Sequence, residues 1–81
     1  MELLDTIDLM KSDDFKDRFR AEYYQLAIRT EKLDAMLDKY EAGTLPFTPN
    51  CSFELLAAQH ALMQAYLNIL KERAAVEKIE L

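Results

Sequence analysis

The only glycine and both prolines of this 81-residue chain fall between Gly43 and Pro49, near its middle. Glycine and proline are the strongest local breakers of helix and strand. The stretches on either side are rich in Ala, Leu, Glu, Lys, Met and Gln, which favour long helices. The expected fold is all-α: an antiparallel two-helix hairpin with a short N-terminal helix or arm, forming one domain over residues 1–81. Gly43 suits a left-handed helix terminus, and Pro46 and Pro49 forbid continuation through the link, residues 43–51. Leu45 and Phe47 are expected to tuck back against that end of the hairpin.

The first long helix is expected over residues 13–42, with Ser12 or Asp13 as its cap. Phe15, Phe19, Tyr23, Leu26, Thr30, Leu33, Leu37 and Tyr40 recur at steps of three and four, the stripe of an amphipathic helix. Arg18, Glu22, Gln25, Arg29 and Lys32 run along one edge of it. Glu22 is spaced to pair with Arg18 and Arg29. Tyr24, Ala27, Ile28 and Ala35 make a second, weaker apolar patch. Ahead of this helix, residues 1–11 carry Leu3, Leu4, Ile7 and Met10. That spacing suits either a short amphipathic helix or a mobile arm that crosses to a neighbouring subunit.

The second long helix is expected over residues 52–78, capped by Asn50 or Ser52. It is apolar over more than one face, so it needs more than one neighbour. His60, Gln64, Asn68, Lys71, Glu72, Ala75 and Lys78 mark its expected outward face. The last residues, Val76 to Leu81, are expected to fray, unless Ile79 and Leu81 dock on a neighbour. Gln59, Tyr66 and Arg73 are seven residues apart, so they stack in one row along the helix. Buried polar groups need partners, and two arrangements provide them. Gln59 and Tyr66 can hydrogen-bond inside the bundle while Arg73 pairs with a carboxylate such as Glu22. Alternatively, Arg18, Tyr23 or Tyr24, Gln59, Tyr66 and Arg73 line a pocket between subunits, with arginine forks holding phosphate and tyrosine stacking on a base.

Composition removes several function classes. Fifteen acidic against ten basic residues give a net charge of −5, unlike a DNA-, RNA- or anionic-membrane-binding surface. One cysteine, Cys51, gives no disulfide framework and fits a reducing cytoplasm. No spacing supports a metal site or a catalytic triad, and one glycine cannot build a phosphate-cradling loop. No cofactor, metal or catalytic residue is assigned. Hairpins this small bury thin cores, so a homo-oligomeric helical bundle is the expected source of extra stability.

Two resemblances bear on function. Phe15-Lys16-x-Arg18-x-x-x-Glu22-Tyr23-x-x-Leu26-x-x-Arg29-x-x-Lys32-Leu33, followed by Leu55-Leu56-x-x-Gln59-x-x-x-Met63-x-x-Tyr66-Leu67-x-Ile69-Leu70-x-x-Arg73, resembles a family of small phage proteins of crAss-like-phage type. Pro49-x-Cys51-x-x-Glu54, with Ala58 and Ala65 before Arg73, is similar to the helical hairpin of phage anti-CBASS and anti-Thoeris sponges. It departs from them at Gln64-Ala65-Tyr66-Leu67-Asn68, where the sponges carry a Trp-Ala-Asn-type stretch. The resemblance implies a homo-oligomer in the host cytoplasm that holds a nucleotide-derived immune signal, a cyclic oligonucleotide or ADP-ribose derivative, without hydrolysing it. Arg18, Glu22, Tyr23, Arg29, Gln59, Tyr66 and Arg73 are then the candidate ligand-binding residues. The rival expectation is a helical interaction module with no small-molecule ligand. A third, an enzyme using Cys51, finds His60 out of its reach along the same helix.

Overall fold

A computed structural model describes residues 1–81, and it is all-helical. A 3-10 stretch, Leu3–Thr6, runs into α1 (Ile7–Lys11); two long helices follow, α2 (Phe15–Ala42) and α3 (Phe53–Glu77). The molecule measures 43 × 24 × 16 Å, its long dimension matching the roughly 42 Å expected of α2 at 1.5 Å per residue. Pairings along the hairpin fix the antiparallel register. Tyr40 meets Phe53 edge-on at 5.5 Å near the link, His60 faces Asp34 at 3.5 Å midway, and Arg73 lies over the Phe19 ring at 4.9 Å towards the open end.

Caps set each boundary. Asp14, rather than Ser12 or Asp13, caps α2 by accepting the Lys16 amide at 2.9 Å. Ser12 braces that cap, accepting the Asp14 amide at 3.1 Å and donating to Asp17 at 2.8 Å. At the far end Gly43 takes φ +72°, and the Thr44 amide reaches back to the Lys39 carbonyl at 2.9 Å, the Schellman closure that a glycine permits. Ser52 caps α3 through the Leu55 amide at 3.1 Å. Leu45 is half-buried, but Phe47 is 55% exposed. Phe53, not Phe47, closes that end by packing on Tyr40.

The C-terminal residues do not fray. Lys78 adopts the left-handed conformation (φ 57°), and the Ile79 amide donates to the Ala74 carbonyl at 2.8 Å. This reversal folds Ile79 into the main cluster with Phe19, Leu70 and Ala74, flanked by Tyr23 and Leu26. The Arg20 guanidinium fastens the tail by donating to the Glu80 carbonyl at 2.6 Å.

The N-terminal residues are helical and lie on α2 of their own chain. Their packing face differs from the expected Leu3, Leu4, Ile7 and Met10 stripe. Thr6 is fully buried, Leu3 and Leu9 are half-buried, and Leu4 and Ile7 face outward. A 3-10 stretch has three residues per turn, so a 3.6-residue periodicity does not carry through it. Thr6 is satisfied in both directions, donating to the Leu3 carbonyl at 2.7 Å and accepting from Gln25 at 2.8 Å.

The outward face of α3 meets expectation at Asn68, Lys71, Glu72, Ala75 and Lys78, which are exposed, and differs elsewhere. His60 and Gln64 are half-buried towards α2, while Leu55, Leu62, Ile69 and Val76 are exposed at 61, 73, 56 and 81%. One neighbour covers one face only. Leu67, Leu70 and Ala74 occupy that face, and the second apolar face is left open.

Because Ile79 closes the cluster, Ile79→Ala should lower stability by about 2 kcal/mol or more, as for other buried aliphatic truncations. Leu4→Ala, at an exposed position, should stay within about 0.5 kcal/mol of the parent. Urea unfolding followed by circular dichroism checks both.

Candidate functional site

Steps of four, three and four residues place Arg18, Glu22, Gln25 and Arg29 on one edge of α2. That edge is the floor of a groove of ≈ 480 Å³, walled by Met10 of α1 and Tyr66 of α3. The groove exists because three elements meet there: α1 packs on α2, whose Ala21 is almost fully buried, and Tyr66 reaches over from the hairpin partner.

The ion pairs expected of Glu22 with Arg18 and Arg29 do not form. The Arg18 guanidinium donates to the Ser12 carbonyl at 2.7 Å, which ties it to the bend between α1 and α2. Glu22 accepts the Tyr66 hydroxyl instead. Gln25 is committed to Thr6. Arg29 is exposed and makes no ion pair or side-chain hydrogen bond. The groove therefore holds two guanidinium groups against one carboxylate, and one of the two is wholly available to a ligand.

Tyr66 also borders a second trough, of ≈ 520 Å³, formed by Leu55, Ala58, Gln59, Leu62 and Met63. This one is apolar except for Gln59, whose amide makes only a weak contact to the Met63 sulfur at 3.7 Å. A cationic trough and an apolar trough thus meet at one aromatic ring. Phosphate suits the first and a nucleobase the second.

The seven candidate residues are not all brought together. Arg18, Glu22, Arg29 and Tyr66 share the cationic groove, and Gln59 joins through Tyr66. Arg73 stands nearby but over Phe19, paired with Glu77 at 2.9 Å and not with Glu22. Tyr23 lies elsewhere. It packs edge-on to Tyr24 at 5.5 Å and lines a groove of ≈ 360 Å³ with Thr30, Glu31, Asp34, His60, Gln64 and Lys71. Sequence reasoning missed that polar groove. The hairpin register holds the signal for it, since folding at Gly43–Pro49 sets His60 opposite Asp34. Met10 was missed as a groove wall, because its place depends on how α1 crosses α2.

The inward network expected of Gln59, Tyr66 and Arg73 forms only in part: Tyr66 bonds to Glu22 of α2, but Arg73 pairs with Glu77, Gln59 makes only its weak contact to Met63, and all three are exposed. Exposure leaves the Tyr66 phenol open to solvent, yet its pKa is raised above the ordinary 10.0. The hydrogen bond to Glu22 is the main cause, with desolvation and the Glu22 charge adding to it and Arg73 opposing. A phenol whose folded pKa lies above its unfolded value contributes stability that is complete below pH 10 and lost as pH rises through the raised pKa. The Tyr66–Glu22 bond is therefore intact at neutral pH. In a spectrophotometric titration one tyrosine should ionise later than free tyrosine. Glu22→Gln should bring that midpoint down, and Arg73→Ala should move it further up.

No group of three or more His, Cys, Asp or Glu side chains is placed to hold a metal ion, and no helix is long and apolar enough to cross a membrane. Comparison with curated proteins and with solved structures gives no match. A family model described as Sequestin matches residues 13–76. The matched span runs from the bend before α2 almost to the end of α3, and so takes in all seven candidate residues but not Met10. The chain belongs to the Sequestin family.

Proposed function

We propose that this protein is a phage anti-defence protein that binds and withholds a nucleotide-derived immune second messenger, a cyclic oligonucleotide or an ADP-ribose derivative, in the host cytoplasm. The family name, Sequestin, speaks for sequestration of a ligand. The observation that carries the nucleotide reading is the meeting of two troughs at Tyr66, one with Arg18 and Arg29, the other apolar with Gln59. Arg29, free of protein partners, takes phosphate oxygens in fork geometry, and Arg18 supplies a second, pre-oriented cation. The Tyr66 ring offers a stacking face, and Gln59 hydrogen-bonds a base edge.

The mechanism is binding alone, and no residue is given a role in bond cleavage. Withholding works by mass action, so affinity must exceed that of the host effector and protein must exceed signal. The protein works as a homo-oligomer on this reading.

The exposed apolar stripe of α3 favours a second reading, a helical interaction module with no small-molecule ligand. One experiment separates the two. Purified protein is incubated with a panel of cyclic oligonucleotides and ADP-ribose derivatives, the filtrate is assayed for each, and the protein is then heated to release what it held. The nucleotide reading expects one member to vanish from the filtrate and return intact on heating. Arg29→Ala should weaken that binding about tenfold or more, as expected for one charge-assisted contact, while Lys71→Ala, in the other groove, should leave it near the parent value. A filtrate that keeps every member of the panel rejects the nucleotide reading and leaves the interaction module.

A further inference from the structure

Residues 1–11 are lightly held to the hairpin. The 3-10 stretch has four residues and α1 has five, and helices so short are not stable by themselves. Their place therefore rests on contact with α2, and that contact is small. Thr6 is the one fully buried side chain among them, with Leu3 and Leu9 half-buried. One side-chain hydrogen bond crosses to α2, from the Gln25 amide to the Thr6 hydroxyl at 2.8 Å. The one ion pair, Glu2 with Lys32, stands at 4.0 Å between exposed side chains, a geometry that contributes little. Met1, Leu4, Ile7 and Met10 remain 40 to 77% exposed.

The joint to α2 sits at Lys11 and Ser12. Ser12 is extended (φ −69°, ψ 147°), and its amide reaches the Leu9 carbonyl only at 3.4 Å. The remainder of Ser12 belongs to α2. Its hydroxyl accepts the Asp14 amide and donates to Asp17, and its carbonyl accepts the Arg18 guanidinium at 2.7 Å. A pivot there leaves Arg18 on the fixed side and carries Met10 on the moving side. Both line the cationic groove, together with Gln25, the residue that holds Thr6. The carboxylates of Glu2, Asp5 and Asp8 do not line it. The segment thus presents a methionine, and no negative charge, to an occupant of the groove.

Resting on the ligand reading above for its occupant, we infer that residues 1–11 are a strap over the cationic groove. Hinged at Lys11–Ser12 and latched by Thr6 and Gln25, it opens to admit a phosphate-bearing nucleotide to Arg18 and Arg29. It then closes over that nucleotide with Met10 as the inner wall. Opening is cheap, because a segment with one buried side chain and one crossing hydrogen bond unfolds locally at small cost. Closing leaves Arg18 competent: one nitrogen stays on the Ser12 carbonyl while the other two keep N–H groups for phosphate oxygens. A ligand that touches Met10 in the closed state favours the latch, and by reciprocity a firmer latch holds the ligand longer. Residues 1–12 lie outside the span matched to the family, 13–76, so the strap stands outside the matched hairpin.

Hydrogen exchange of the full chain, followed amide by amide, tests the strap. Without ligand, the α1 amides should exchange on the order of 100-fold faster than those of α2 around Thr30. Gln25→Met removes the latch but keeps the side-chain size. It should speed α1 exchange about fivefold, the effect of one hydrogen bond, and leave the Thr30 region as it is. If the α1 amides are as protected as those of α2, or do not respond to Gln25→Met, the hinge is overturned. With the panel member that the protein retains, α1 exchange should slow about tenfold, and Met10→Ala should speed release of that nucleotide about fivefold. A retained nucleotide that leaves α1 exchange unchanged sinks the strap alone. A panel from which nothing is retained, with α1 exchange still fast and latch-dependent, sinks closure over a nucleotide together with the ligand reading, and keeps the hinged segment.

Discussion

The packing of α3 on α2 through Phe19, Leu70, Ala74 and Ile79 is the interaction on which the remaining structure depends. It is the one apolar seam between the long helices, and its register decides what every other side chain meets. Set by the Schellman turn at Gly43 and by Ile79 folding back after Lys78, it places Tyr66 over Glu22, His60 opposite Asp34 and Arg73 above Phe19. A register slip by one turn would carry Tyr66 away from Glu22 and undo the cationic groove, whereas the apolar trough lies wholly on α3. Because α3 has more apolar surface than one neighbour covers, the same seam leaves Leu55, Leu62, Ile69 and Val76 in the open.

The Tyr66–Glu22 bond ties fold to function. It spans the hairpin, holds the aromatic ring between the cationic and apolar troughs, and removes Glu22 from competition for Arg29. In a chain of net charge −5, an arginine without a carboxylate partner stands out physically. Surface ion pairs contribute little to stability, so their absence costs the fold little and leaves the cation available to an anionic ligand. Arg18 is restrained differently. Its bond to the Ser12 carbonyl orients the guanidinium while leaving its charge uncompensated.

Much of the fold was legible in the sequence because helix period and breaker residues are local signals. The Phe19, Leu26, Thr30 and Leu37 stripe and the Gly43–Pro49 link needed no tertiary information. The failures have tertiary causes. The face of residues 3–10 was misread because the 3-10 stretch changes the residues per turn. The outward face of α3 was read too narrowly because apolarity was equated with burial, although a two-helix seam has room for only one of its two apolar faces. Phe47 was assigned a core place that Phe53 takes.

The site was legible in part for the same reason. Arg18, Glu22, Gln25 and Arg29 share an edge of one helix, which spacing reveals, whereas the contributions of Tyr66 and Met10 depend on how helices cross. Tyr23 packs against the seam, as its place in the stripe implies, and so lines the polar groove rather than the one with Arg18 and Arg29. The row of Gln59, Tyr66 and Arg73 was read correctly as a row, yet its neighbour is an open apolar stripe rather than a closed interior.

The most direct measurement of the central claim is native mass spectrometry of the protein mixed with an equimolar panel of cyclic oligonucleotides and ADP-ribose derivatives. The account predicts a protein species carrying a nucleotide of unchanged mass. A spectrum with bare protein alone, or with only cleaved fragments of the nucleotide, would contradict it.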